Sequence, residues 1–583
     1  MNRKIFLFAS LLIVLSLVLA SCATPTPEVV EKIVKEVVTE VVEVEKEVTR
    51  MVEGTPVVEQ IVVTEVVEME VTSVVEVEVE TVVTATPAPM SELSTSLVMA
   101  VNGAPWMLDP VFSNDSWIDR HLVNMYDPLV NFAPVTGELV PWLAEEWDLS
   151  DDGLTYTFKI REGVKFHDGT DLTASDVKYT FDRLQALNEG VAFELTHFDS
   201  AEMVDDYTVK LHMKVPSVPF SNSLPKFLIV SEDGAKAVEV DGDWGMGDND
   251  LGSGPYMIER IEPEQEYVYA KFDDYWQEWP EHHVDKIIWR IVKEAATQRL
   301  LLEKGDVDIA MEPAVEDLPA LEDNPDINIY EDVSAQQMYF HLRMHHPPLD
   351  DVNVRKALAM GYDYDAHIES ILGGHGQQAR GPLPRIYPEN DETIEMPVYD
   401  PDAARAALAD AGYPDGFTMK VGYDPGSEYE KLRGFELWQV ALEDLGITVE
   451  PLAMDWDTMV NAEADVDSEP DAYVEYYWPS ALDADGSMRH IYHSDSRGVY
   501  NASWYSNPEV DRLMDAALQE TDDKKRTEMW HQIQQLVNDD QPSIFVSNPG
   551  YFIAARDWVK GYVYNVSHHQ GVPVWGMSLE GKP

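Results

Sequence analysis

The clearest pattern along the chain runs from Trp142 to Arg183. Leu154-Thr155-Tyr156-Thr157-Phe158-Lys159-Ile160 alternates large apolar and polar residues, the period of a half-buried strand. Ser150-Asp151-Asp152-Gly153 and Arg161-Glu162-Gly163 bracket it with turn residues. Val164-Lys165-Phe166 reads as a second short strand, and His167-Asp168-Gly169-Thr170 as a tight turn. Thr173 with Asp176 three positions on forms a capping box, and Val177, Phe181 and Leu184 follow at helical spacing. The same reading predicts strands over Leu97 to Val101 and Val284 to Val292. It predicts a helix over Ala295 to Glu303, with Gly305 placed as its C-cap. Strands and helices interleave from residue 95 onward, which is an α/β pattern without internal repeats.

Residues 23 to 90 are different: Val and Glu dominate between two Thr/Pro-rich ends. Val29-Val30, Ile33-Val34, Val37-Val38 and Val41-Val42 recur every four residues, which predicts an amphipathic helix. Gly54-Thr55-Pro56 interrupts it, and Val75, Val77 and Val79 then alternate with Glu76, Glu78 and Glu80 as in a strand. β-Branched residues lower helix propensity throughout. The segment reads as an extended tether or as a self-associating stalk. Before it, Arg3 and Lys4 precede an apolar stretch from Ile5 to Ala20. Leu19-Ala20-Ser21-Cys22 then resembles a bacterial lipobox, in which Cys22 is acylated and becomes the anchor. Cys22 is the only cysteine, so no intramolecular disulfide can form. No other apolar run is long enough to span a bilayer. A net charge of −66 argues against nucleic acid and anionic lipid as partners.

The Trp142–Arg183 stretch resembles the signature of the family-five extracellular solute-binding proteins, the receptors of ABC importers for peptides, nickel, haem and some oligosaccharides. Leu108-Asp109-Pro110, Gly252-Ser253-Gly254-Pro255-Tyr256, Phe272-Asp273-Asp274-Tyr275-Trp276 and Asn507-Pro508-Glu509-Val510-Asp511 resemble further segments of that family. The resemblance implies two lobes joined by a hinge, with an extra small domain. The expected division is signal peptide 1–21, tether 22–90, first lobe 91–137, 251–335 and 546–583, small domain 138–250, and second lobe 336–545. It implies a monomeric body, held outside the cytoplasm on the cell membrane by Cys22. That body captures a solute and delivers it to permease subunits and their ATPase, with no bond chemistry, cofactor or metal. Peptide is the first expectation for the solute and oligosaccharide the second. An extracellular hydrolase and a surface stalk protein are the alternatives of other classes. No GxSxG, Walker A or HExxH motif is present, and the pairs His282-His283, His345-His346 and His568-His569 read as surface residues.

A site for an extended polar ligand needs flat apolar walls and a few fixed polar groups. The resemblance points to Trp456 at a strand end, to Tyr477 and Trp478 where the family carries a Gly-Trp pair, to Tyr339 and Arg343, and to Trp106. Trp117 is a weaker candidate. Peptide receptors of the family place an Asp three residues after that Trp to meet the α-amino group. Here the count reaches Ser480 or Ala481, and the nearest carboxylates are Asp483 and Asp485. Arg343 stands where the family has Asn, and its planar fork suits either a ligand carboxylate or a structural partner.

Overall fold

The computed structural model describes residues 29–52, 55–78, 95–133, 138–241, 249–425, 429–477, 483–498, 500–565, 568 and 571–583, the first two by backbone alone. It divides into two units, 1–89 and 90–583. Cys22 and the signal expected before it lie outside the described residues.

In the first unit, Val29–Val52 and Thr55–Glu78 form an antiparallel pair, with Val29 opposite Glu78 and Val52 opposite Thr55. The helix expected over the first half is therefore replaced by a strand. A four-residue repeat of Val pairs satisfies both periods, and β-branched side chains prefer the pleated backbone.

The second unit is built on a sheet that runs through both lobes. Its order is Tyr256–Glu262, Glu266–Lys271, Lys286–Ile291, Ser96–Val101, Ile309–Ala310, Ser543–Arg556, Gln337–Leu342, Ala472–Tyr477, Thr418–Tyr423 and Thr448–Ala453. Ser543–Arg556 belongs to both halves. Its first residues pair with Gln337–Leu342, and its last pair with Ile309–Ala310 and Ile327–Val333. The chain crosses back beside it, because Val333 lies opposite Gly550 and Met338 opposite Ser547. These two adjacent crossings join the two halves of the sheet. Asn548 ties them: its side chain donates to Gln336 O (3.1 Å) and Gln337 Oε1 (3.0 Å) and accepts from Arg385 N (3.3 Å).

Alternation along the strands sorts the cores. Leu97, Met99 and Val101 face a core with Trp289 and Tyr269, while Val98 and Ala100 face one with Leu302 and Ala554. In the second lobe Met338, Phe340 and Leu342 pack with Trp438 on one face, and Tyr339 packs with Tyr492 and Trp530 on the other. A third body is the antiparallel sheet Ala144–Leu149, Thr155–Ile160, Thr208–Met213 and Phe198–Asp205, covered by helix Ala174–Leu187. The capping box forms as expected: Asp176 accepts from Thr173 N at 2.8 Å, and Thr173 Oγ1 accepts from Ser175 N. The helix Ala295–Lys304 ends on Gly305 at φ 78°, a conformation that suits glycine. Val164-Lys165-Phe166 does not extend into a strand. Phe166 N donates to Thr170 O and Leu172 N to Val164 O, closing so tight a loop that only a Lys165–Asp171 bridge is left.

Candidate cleft between the lobes

In open α/β sheets, ligands bind outside the carboxyl ends of the parallel strands. In the first lobe, Ser96–Val101 is parallel to Lys286–Ile291 and Ile309–Ala310. Their carboxyl ends lead to Asn102–Trp106 and to Glu312. Trp106 is 54% exposed, with its indole N–H donating to Asp115 at 3.2 Å and its ring 4.7 Å from Phe112. Trp117 is held from both sides. A Cβ on Gly103 would lie 2.7 Å from its ring, and the Arg120 guanidinium stacks 4.1 Å from it while pairing with Glu312 at 3.2 Å. In the second lobe, Thr418–Tyr423 is parallel to Thr448–Ala453 and to Ala472–Tyr477. Their carboxyl ends present Tyr423, Trp456 and Tyr477. Trp456 is 49% exposed and opens the helix Trp456–Ala464, whose N-cap Asp455 accepts from Thr458 N at 2.9 Å. Nearby in sequence, Tyr429 is exposed and Tyr423 is stacked on Phe435 at 4.7 Å.

Several expected ligand residues are spent on the protein itself. Tyr339 is fully buried, its hydroxyl on Pro382 O at 3.2 Å and its ring stacked on His341. Arg343 follows the end of Gln337–Leu342 that lies opposite Ala472, so it sits at the far end of the sheet from Tyr477. It is buried and donates to the carbonyls of Glu463 (3.3 Å) and Asp465 (2.6 Å), at the carboxyl end of helix Trp456–Ala464. Those carbonyls have no intrahelical donors, so a planar cation completes the helix end. Of the roles open to Arg343, the geometry takes the structural one. The Tyr477 hydroxyl donates to Gly486 O at 2.8 Å. Trp478, with Ser480 and Ala481, lies outside the described residues.

Asp483 caps helix Ala484–Tyr492, accepting from Asp485 N, and its other oxygen takes Arg526 (3.0 Å) and Asn222 (2.9 Å). Asp485 pairs with Arg489 at 3.0 Å, yet burial still pushes its carboxyl up to about 6. The sequence reading missed what surrounds them. Glu389 is 6% exposed, shares Arg526 at 3.3 Å, and leaves Oε2 without a partner among the described residues. Burial, then the neighbouring Asp483 charge, raise its carboxyl above the usual range. Glu194 lies close enough to raise Asp485 further and accepts from Ser223 Oγ at 2.8 Å. Asn222 and Ser223 belong to Val218–Ser223, so this acidic cluster bridges the second lobe and the segment beside the four-stranded sheet. The Phe193 and His490 rings, 4.8 Å apart, extend the same contact. Asn222 and Asp483 are 261 positions apart, and no local motif announces such a pair.

Among the described residues no cluster of His, Cys, Asp or Glu is arranged to hold a metal ion. His283 and His346 are half-buried and His568 is buried, its imidazole 3.0 Å from Asp119. The surface reading of the histidine pairs therefore fails for His568, which a long-range carboxylate draws inward.

The sequence profile of the bacterial extracellular solute-binding proteins, family 5 (middle part), matches residues 138–498. Heme-binding protein A of Haemophilus influenzae is 29% identical over 485 residues, 79% of this chain and 87% of that protein. The probable D,D-dipeptide-binding periplasmic protein DdpA of Escherichia coli is 30% identical over 508 residues, 83% and 95% of the two chains. Among solved structures, the periplasmic binding protein DppA of Helicobacter pylori, in complex with the peptide STSA, superposes with a TM-score of 0.73 at 24% identity. It covers 84% of this chain and 100% of that one.

Proposed function

The chain belongs to the bacterial extracellular solute-binding proteins of family 5, and from that premise we infer that it is the peptide receptor of an ABC importer. It is held to the cell membrane by a lipid on Cys22, and the Val/Glu segment sets the body away from that surface. Closure about the two crossings at Val333–Gln337 and Ser547–Gly550 buries a short peptide between the strand ends of the lobes. Permease subunits with their ATPase then take the solute. The observation that supports this reading is the pair of tryptophans at the strand ends of the two lobes, Trp106 and Trp456, each about half exposed. We assign the peptide amine to Glu389, a buried carboxylate whose Oε2 has no partner among the described residues.

A second reading, an oligosaccharide receptor, draws on one observation: Ser480 or Ala481 stands where the family's amine-binding Asp is expected, and both oxygens of Asp483 are occupied. Thermal unfolding of the full chain against short peptides and oligosaccharides separates the two. A ligand at a hundred times its dissociation constant stabilises by about 2.7 kcal/mol. A shift with peptides supports the first reading; a shift with sugars alone replaces it by the second.

A further inference from the structure

The first lobe contains a cavity of about 290 Å³ at the opposite end from the cleft. Helix Ser116–Met125 fixes its place. Its first turn carries Trp117, packed on Gly103 beside the strand ends, and its last turn, with Val123 and Asn124, lines the cavity. Ten helical residues span about 15 Å. Phe132, Trp142 and Tyr275 give the cavity aromatic walls, and two ionisable groups stand among them, Asp127 and His568.

Asp127 is a buried carboxylate whose contacts are all neutral. It accepts from the indoles of Trp142 (2.6 Å) and Trp276 (3.1 Å), from Ser253 Oγ (3.1 Å) and from the Tyr275 hydroxyl (3.4 Å). Among the described residues no cation pairs with it. His167 acts on it from beyond contact, and that imidazole pairs with Asp250 at 2.5 Å. Burial pushes the Asp127 carboxyl up to about 6, so near neutral pH it is mostly ionised, and the interior screens its charge poorly. His568 is held from behind. Its Nδ1 lies 3.0 Å from Asp119, which also takes Lys226 at 2.9 Å. The ring nitrogen that meets a carboxylate carries the proton, so in a neutral imidazole Nε2 keeps its lone pair. Nε2 makes no hydrogen bond among the described residues and is not walled in, because 3% of this side chain stays accessible on the ring that lines the cavity.

We propose that this cavity is a second small-molecule site, separate from the cleft, for a primary ammonium ion carrying one apolar group the size of a benzene ring. Each part of that class answers a wall. The positive charge answers Asp127, the N–H donors answer the His568 lone pair, and the aromatic faces suit both the cation and the apolar group. Size admits it, since an engineered cavity of about 150 Å³ takes benzene and this one is about twice as large. An anion would meet Asp127 and a net charge of −66.

Benzylammonium, benzyl alcohol and benzyltrimethylammonium test this on the full chain by equilibrium dialysis, in about 0.15 M salt to screen the exposed carboxylates. Benzylammonium should saturate one site and bind about tenfold or more tightly than the alcohol, as contact with an ionised partner implies. Asp127→Asn should bring those two to parity, with the alcohol still bound as the sign of an intact cavity. That variant changes a net charge of −66 by one, so loss of the preference cannot come from adsorption to the surface. His568→Phe should weaken benzylammonium and spare benzyltrimethylammonium, which has no N–H to donate. Trp456→Ala in the cleft should leave all three probes unchanged. In the unaltered protein, the Nε2 resonance of His568 should move with benzylammonium and much less with benzyltrimethylammonium. Absence of saturable binding, equal binding of benzylammonium and the alcohol, a preference that survives Asp127→Asn, an Nε2 resonance that stays still, or loss of binding in Trp456→Ala would each overturn the proposal.

Discussion

Arg343 and Glu389 are two buried ionic groups with opposite consequences. Arg343→Met would take from the Asp465 carbonyl its guanidinium donor and leave the Glu463 carbonyl with the Trp504 indole alone. Urea unfolding should show a loss of about 2–4 kcal/mol, and solute affinity should stay within about twofold, because the side chain lies at the far end of the sheet from Tyr477. Glu389 works through pH. Its carboxyl is raised by burial and by Asp483, so the folded state holds that proton more tightly than the unfolded chain does. The resulting stabilisation is complete in acid and fades as pH rises through the raised value. Glu389→Gln should therefore match the unaltered protein near pH 5 and exceed it by about 1–3 kcal/mol near pH 8, read as melting temperature across that range. At this scale the sequence identified aromatic and charged residue types but not their partners. Trp456 was expected from the resemblance, at a strand end, and it opens a helix there with about half of its surface exposed. The fate of Arg343 depended on carbonyls about 120 residues away, and that of Asp483 on Asn222.

Elements were more legible where two signals agreed. In helix Ala174–Leu187 the capping box and the Val177, Phe181, Leu184 stripe point to the same start, and both are realised. Thr173→Ala should cost about 1 kcal/mol in chemical denaturation at neutral pH, with solute binding unaffected. Where signals disagreed, the stronger local preference won. In the Val/Glu segment the four-residue spacing favoured a helix and the β-branched side chains a strand, and the backbone of Val29–Val52 is extended and paired. At Val164–Phe166 the apolar pattern was that of a strand. The turn chemistry of His167 to Thr170 limited it to a bridge, because Gly169, at φ 86°, brings Thr170 back onto Phe166.

At the scale of the whole molecule, the two crossings beside Ser543–Arg556 and the Asn222–Asp483 contact join its parts. Asn222→Ala removes a hydrogen bond between Val218–Ser223 and the second lobe without touching either core. If closure depends on this contact, solute affinity should fall about ten- to hundredfold, as one hydrogen bond to a charged partner implies. An unchanged affinity would show that the contact plays no part in closure. The long strand Ser543–Arg556 has a further consequence, in time rather than space. Ala100 of the first strand reaches the late strand only through Ile309–Ala310, and Ser96 O accepts from Lys582, 486 positions away. The lobe that begins the body cannot be finished until Lys582 has been made. The first lobe therefore locks only after Ser543–Arg556 and Lys582 have joined it.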